Sequence, residues 1–273
     1  MENIKKNWLK ILLVSLVGLT IWGILRGFVF KILIPINDPP DIIAFGDSIW
    51  VERGLFYPLL IIIGIIFLSL YSIAFIFIEE KLFGNKFIKG LTYGLSFFLI
   101  IVAAFFEFYH FFDGKSRDAI LAILADGIPL LVTGIILGLT FSTDKEINRL
   151  QSKRNLLSII FISIFFTISR TIFYFFFYPT PLIKQLNSYI YLFLFGITIG
   201  ITYYFLSQGI KSTHPFKKSL IFGLILGIAW VPLNFFVCIK YKVPFELISY
   251  LILLDLTGII SGGLLNEVIN EIQ

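Results

Sequence analysis

KFIKGLTYGLSFFLIIVAAFFEF, residues 86–108, stands 129 positions before PFKKSLIFGLILGIAWVPLNFFV, residues 215–237, and the two read as copies of one unit. Without a gap, Phe87, Lys89, Gly94, Val102 and Phe106 fall on Phe216, Lys218, Gly223, Val231 and Phe235. The register continues through the next apolar run, where Leu124, Asp126 and Gly134 meet Leu253, Asp255 and Gly263. Aliphatic matches mean little in a chain this apolar. A basic start, paired glycines and an aspartate at the same depth of an apolar run mean more.

A second register covers the start of each copy. With a shift of 144, Lys10, Leu12, Leu13, Ile24, Arg26 and Pro35 fall on Arg154, Leu156, Leu157, Ile168, Arg170 and Pro179. Each copy therefore holds one arginine and one aspartate inside apolar sequence. The change of shift puts a 15-residue excess into the first copy between Pro35 and Lys86.

The chain has 273 residues, 58% apolar and 14% charged, where a soluble domain carries about 25% charged residues. Eight apolar runs, 8–33, 56–78, 88–112, 117–141, 155–178, 187–208, 216–239 and 245–267, are each long enough to cross a hydrocarbon core of ~30 Å. The expected fold is all-α integral membrane, with eight transmembrane helices as two parallel four-helix repeats. Parallel follows because four spans return the chain to its starting side, which makes the copies alike in orientation. The expected divisions are 1–141, with an outer loop at 34–57, a linker at 142–154, and 155–273.

The charge of +5 is read through topology. The N-terminal tail and alternate loops on its side carry 13 basic residues, the other loops seven, so both termini are expected in the cytoplasm of a multi-pass cell-membrane protein. No nucleic-acid partner is needed to explain the charge. Cys238, the single cysteine, excludes an internal disulfide. The first 20 residues have basic and apolar regions but no small-x-small cleavage site, so they read as a retained first span.

A charge at the centre of a bilayer costs at least ~2.5 to 3.5 kcal/mol, so Arg26, Asp126, Arg170 and Asp255 should face the bundle interior and find partners. Counting depth along straight helices leaves ~9 Å between each arginine and the aspartate of its copy, about the reach of a long side chain. The expected pairs are Arg26 with Asp126 and Arg170 with Asp255, or the crosswise set, around a polar cavity between the copies. Asn234, beside Pro232 in the seventh run, joins them as a candidate because proline frees a carbonyl there. Glu107 and His110 align with the apolar Phe236 and Ile239 and are read as interfacial. Gly134, Gly138, Gly258, Gly262 and Gly263 are read as helix-contact positions.

Two short stretches bear on catalysis. Asp41 to Ile49, DIIAFGDSI, resembles the first block of the GDSL hydrolases, whose nucleophile would be Ser48. That family's downstream Asp-x-x-His is absent, and no sequence is left for a soluble sheet. Glu79-Glu80 and Phe106-x-x-x-His110 resemble motifs of the CAAX-type intramembrane proteases, but the arginine after the glutamates and a second membrane histidine are missing. No enzyme, metal or cofactor is expected. The segment 42–51 is too short to span and too apolar for a solvated loop, so it should lie in the interface or fold back on the bundle. The function expected is a small permease or transporter with a polar path between its repeats. The alternative is a non-transporting scaffold or accessory subunit that binds a membrane protein or lipid.

Overall fold

A computed structural model describes residues 2–29, 46–111, 116–143, 156–212 and 214–272. It contains eight helices long and apolar enough to cross a membrane: α1 Asn7–Phe28, α2 Phe56–Lys81, α3 Lys86–Phe111, α4 Ala119–Phe141, α5 Leu156–Phe177, α6 Leu186–Gly209, α7 Pro215–Lys240 and α8 Phe245–Glu271. They mark a polytopic membrane protein. The expected ends agree to within a few residues, because a run of apolar residues with polar or proline ends marks a span directly. The first run was expected to reach residue 33, which lies outside the described residues, as do 34–45 of the outer loop and 144–154 of the linker.

The helices form a ring. In circular order, α1 packs on α2, α2 on α7, α7 on α8, α8 on α5, α5 on α6, α6 on α3, α3 on α4, and α4 on α1. The arc α3-α4-α1-α2 and the arc α7-α8-α5-α6 are each contiguous. They meet at two seams, α2 against α7 and α6 against α3.

Lipid tails offer no hydrophobic force between helices, so close backbone contact and internal hydrogen bonds must hold them. Glycines supply the close contact within each arc. A Cβ on Gly138 would lie 2.3 Å from the Lys86 carbonyl oxygen, and one on Gly134 would lie 2.5 Å from the Gly94 Cα. Between α8 and α5, Gly258 and Gly262 would meet Ser169 Oγ at 2.3 Å and Ile162 Cα at 2.7 Å. Gly196 and Gly200 of α6 lie as tightly on Ser163 and Ile159 of α5. Across the seams such contacts are rare: among the described residues only Gly209 on Ile78 joins the arcs this way. The outer surface stays apolar, with Ile24, Phe176, Leu186 and Leu253 exposed, as lipid contact requires.

One face of the ring carries the start of α3 and α7 and the ends of α2, α4, α6 and α8; we term it the terminal face, since α1 begins there. Its polar side chains are tied together. Lys89 is fully buried 3.8 Å from Glu79, and Glu79 also accepts from the Thr143 N–H at 3.0 Å. Lys218 pairs with Glu267 at 2.9 Å, which accepts from the Tyr203 hydroxyl at 2.6 Å. Lys211 and Glu80 pair across the arcs.

At the opposite, distal face, residues 46–52 fold back on the bundle. Ser48 N–H donates to the Lys240 carbonyl at 3.2 Å, Lys242 N–H donates to the Gly46 carbonyl at 2.9 Å, and Asp47 bridges Tyr241 in antiparallel fashion. A four-residue helix, Ile49–Glu52, follows and leads to α2.

Candidate functional site

Proline decides the backbone at two of the expected site positions. Pro129 has no N–H for the Ala125 carbonyl, and the residues before it, Ile123–Gly127, wind as a π-turn within α4. Asp126 sits on that turn. In α5 the π-turn Phe173–Phe177 precedes Pro179 and closes with Tyr178 N–H on the Phe173 carbonyl at 3.0 Å. π-turns change the residue count per turn, so depth counted along straight helices is off near each pair.

The charges meet directly and not crosswise. Arg26 Nη1 lies 2.6 Å from Asp126 Oδ1, and the Trp22 indole N–H, one turn back on α1, donates to the same oxygen at 2.6 Å. Arg170 Nε lies 2.8 Å from Asp255 Oδ1, while the Trp230 indole N–H donates to Asp255 Oδ2 at 2.7 Å. Each aspartate thus receives one guanidinium and one indole. The indole comes from the arginine helix in the first case and from α7 in the second.

Glu107 departs from the interfacial expectation. It is buried at 4%, lies 3.2 Å from Arg170 Nη1 and accepts from the Tyr174 hydroxyl at 3.1 Å. Its depth suggested the interface, but packing of α5 beside it closes the site. Because a buried carboxylate without a partner is costly, Arg170 serves two acids from two elements. The guanidinium is also sandwiched by aromatic faces, 5.3 Å from Phe166, 5.5 Å from Phe195 and 5.5 Å from Trp230. His110, by contrast, stays half-buried, stacked on Tyr191 with Nε2 3.0 Å from Ser188 Oγ.

The first pair and Arg170 of the second border a cavity of about 240 Å³. Arg26, Asp126, Glu107, Arg170, Trp230, Asn234 and Lys240 line it, with an otherwise largely apolar and aromatic wall drawn from both arcs; among the described residues every span but α6 contributes. Asp255 is fully buried and stands behind the wall, not on it. Asn234 reaches the cavity but its amide donates to the Trp230 carbonyl at 2.8 Å, one turn back on α7. At the distal end Lys240 holds its ammonium 4.8 Å from the Tyr241 ring centre. Burial pushes the Tyr241 phenol well above its ordinary range, so it remains a neutral donor there.

The stretch resembling the GDSL block has another use. Ser48 Oγ donates to the Ile239 carbonyl and accepts from the Val51 N–H at 3.4 Å, capping the short helix. Glu79 and His110, the residues that resemble protease motifs, sit at opposite ends of α2 and α3, and among the described residues no three His, Cys, Asp or Glu side chains converge.

Comparison with protein-family models, curated proteins and solved structures finds no match.

Proposed function

We propose that the chain is a small carrier built from two parallel four-helix copies, with the cavity between the arcs as its solute site and both termini cytoplasmic. The observation that carries this reading is the cavity itself, which both arcs line and which brings Arg26, Asp126, Glu107 and Arg170 into one space.

Three features support the duplicated architecture. Every helix contact of the ring maps onto another when each helix is advanced by four: α1 on α2 becomes α5 on α6, and α3 on α6 becomes α7 on α2. The Tyr71 and Tyr93 rings pack at 4.6 Å between α2 and α3, as Tyr203 and Phe222 do at 4.6 Å between α6 and α7. The glycine contacts bring helix backbones together within each arc and are sparse between arcs, so the two arcs are distinct packing units, as the halves of a carrier built from repeats would be.

The accessory-subunit reading is favoured by one observation: each aspartate already has its arginine and indole, as charges that only fix helix register would. Water access separates the two. Cys238→Ser removes the native thiol, and single cysteines at Ala122 and Leu251, both on the cavity wall, are challenged with impermeant thiol reagents in intact cells and in inverted vesicles. The carrier reading expects labelling at both positions. A folded protein that labels from neither side would sink it in favour of the accessory subunit.

A further inference from the structure

Among the described residues the cavity holds a cation at its distal end that makes no ion pair. Arg26 is matched by Asp126. Lys240 also lines the space, at the end of α7; among the described residues no carboxylate forms an ion pair with its ammonium, Asp126 and Asp47 act on it only at longer range, and it sits 4.8 Å from the Tyr241 ring centre. Asp47, the nearby acid, is exposed on the folded-back segment and engages Tyr241 through its backbone. A partly desolvated cation beside an apolar wall favours an anion that can share that environment.

Size narrows the choice. A dry cavity of 150 Å³ accepts benzene, so one of about 240 Å³ holds by proportion about ten non-hydrogen atoms. The wall that such a body would touch is formed by Phe67, Phe105, Phe236 and Leu247. We infer that the cavity binds a small amphipathic monoanion, its carboxylate or phosphate head on Lys240 next to the Arg26 and Asp126 pair and its apolar body against the aromatic wall. This deepens the carrier reading and rests on it only for the statement that the anion is moved; the binding stands on the cavity and Lys240.

The test uses the full-length protein in nanodiscs of zwitterionic lipid. The probe is 8-bromooctanoate, whose bromine quenches indole fluorescence on contact; Trp22 and Trp230 line the cavity and Trp8 and Trp50 do not. Saturable quenching is expected, retained in Lys240→Arg and weakened at least tenfold in Lys240→Gln, with 8-bromooctanol and 8-bromooctylammonium at least tenfold weaker on the wild-type protein. Equal quenching by the alcohol or the ammonium would overturn the proposal even if Lys240→Gln failed to fold, and so would an unchanged affinity in a folded Lys240→Gln. Competition by added phosphatidylglycerol would assign the site to a membrane lipid's head and chain end, and its absence to a soluble anion; the monoanion site stands in both. Counterflow of labelled octanoate in proteoliposomes then addresses the carrier alone: binding without flux keeps the site and removes the carrier.

Discussion

The two arginine-aspartate pairs have the same sequence signature and different surroundings. Arg26 and Asp126 keep 20% and 14% of their side chains exposed and border the cavity; Arg170 and Asp255 keep 3% and 0%. The first aspartate accepts from both donors on a single oxygen, while the second accepts the indole on one oxygen and faces the guanidinium as an ion pair with the other. Arg170 also holds a third charge, Glu107, brought from the other arc. Charges with one sequence signature therefore need not share surroundings: one pair borders the cavity, and the other is sealed and ties Glu107 of one arc to Arg170 of the other.

The contrast is broken most sharply at Arg170. Arg170→Met would leave two carboxylates buried together, and we expect a loss of about 3 to 5 kcal/mol, read as a large fall in the thermal midpoint of the purified protein; Arg26→Met should cost clearly less because its pair is wetter. Equal losses would erase the distinction. Next in size, Gly138→Val should cost roughly 1 to 3 kcal/mol or more by forcing α3 from α4, while Gly227→Ala, whose Cβ would find Leu256 no closer than 3.6 Å, should be near neutral. A smaller effect is expected from the indoles: Trp230→Phe should cost about 1 to 3 kcal/mol because it strips a donor from a fully buried carboxylate, and Trp22→Phe about 0.5 to 1.5 kcal/mol. Smallest in stability is Asp126→Asn, which keeps an acceptor for Arg26 and Trp22 but removes the counter-charge of a wetter pair; it should lower the midpoint clearly less than Asp255→Asn does while altering anion binding in the quenching assay. A midpoint that fell as far as for Asp255→Asn would mean that the first pair is also structural.

Much of this was legible before any coordinates. The spans follow from apolar length, and the four buried charges declare themselves because each is too costly to leave unpartnered in lipid. What stayed hidden is instructive. Glu107 aligns with the apolar Phe236 and stands only a turn from the end of α3, so neither the sequence alignment nor depth marked it; burial there is decided by α5, a neighbour no local pattern names. Trp22 and Trp230 escaped for a related reason: the residues aligned with them, Phe166 and Ile101, cannot donate, so each aspartate takes its indole from a different helix. One clue was present, since Trp22 and Arg26 are four residues apart and share a helix face. Lys240 read as an ordinary loop-end lysine until the folded-back segment enclosed it.

That segment also decides how symmetric the molecule can be. A ring with an intact twofold would have two equivalent seams, at α2 beside α7 and at α3 beside α6. Backbone pairing of residues 46–48 with 240–242 sits at the distal end of the first seam, and it comes from sequence that has no aligned partner later in the chain. At the α3 and α6 seam the same end is held by side chains instead, His110 on Ser188 and Tyr191, so the two arcs are joined by backbone at one seam and by side chains at the other.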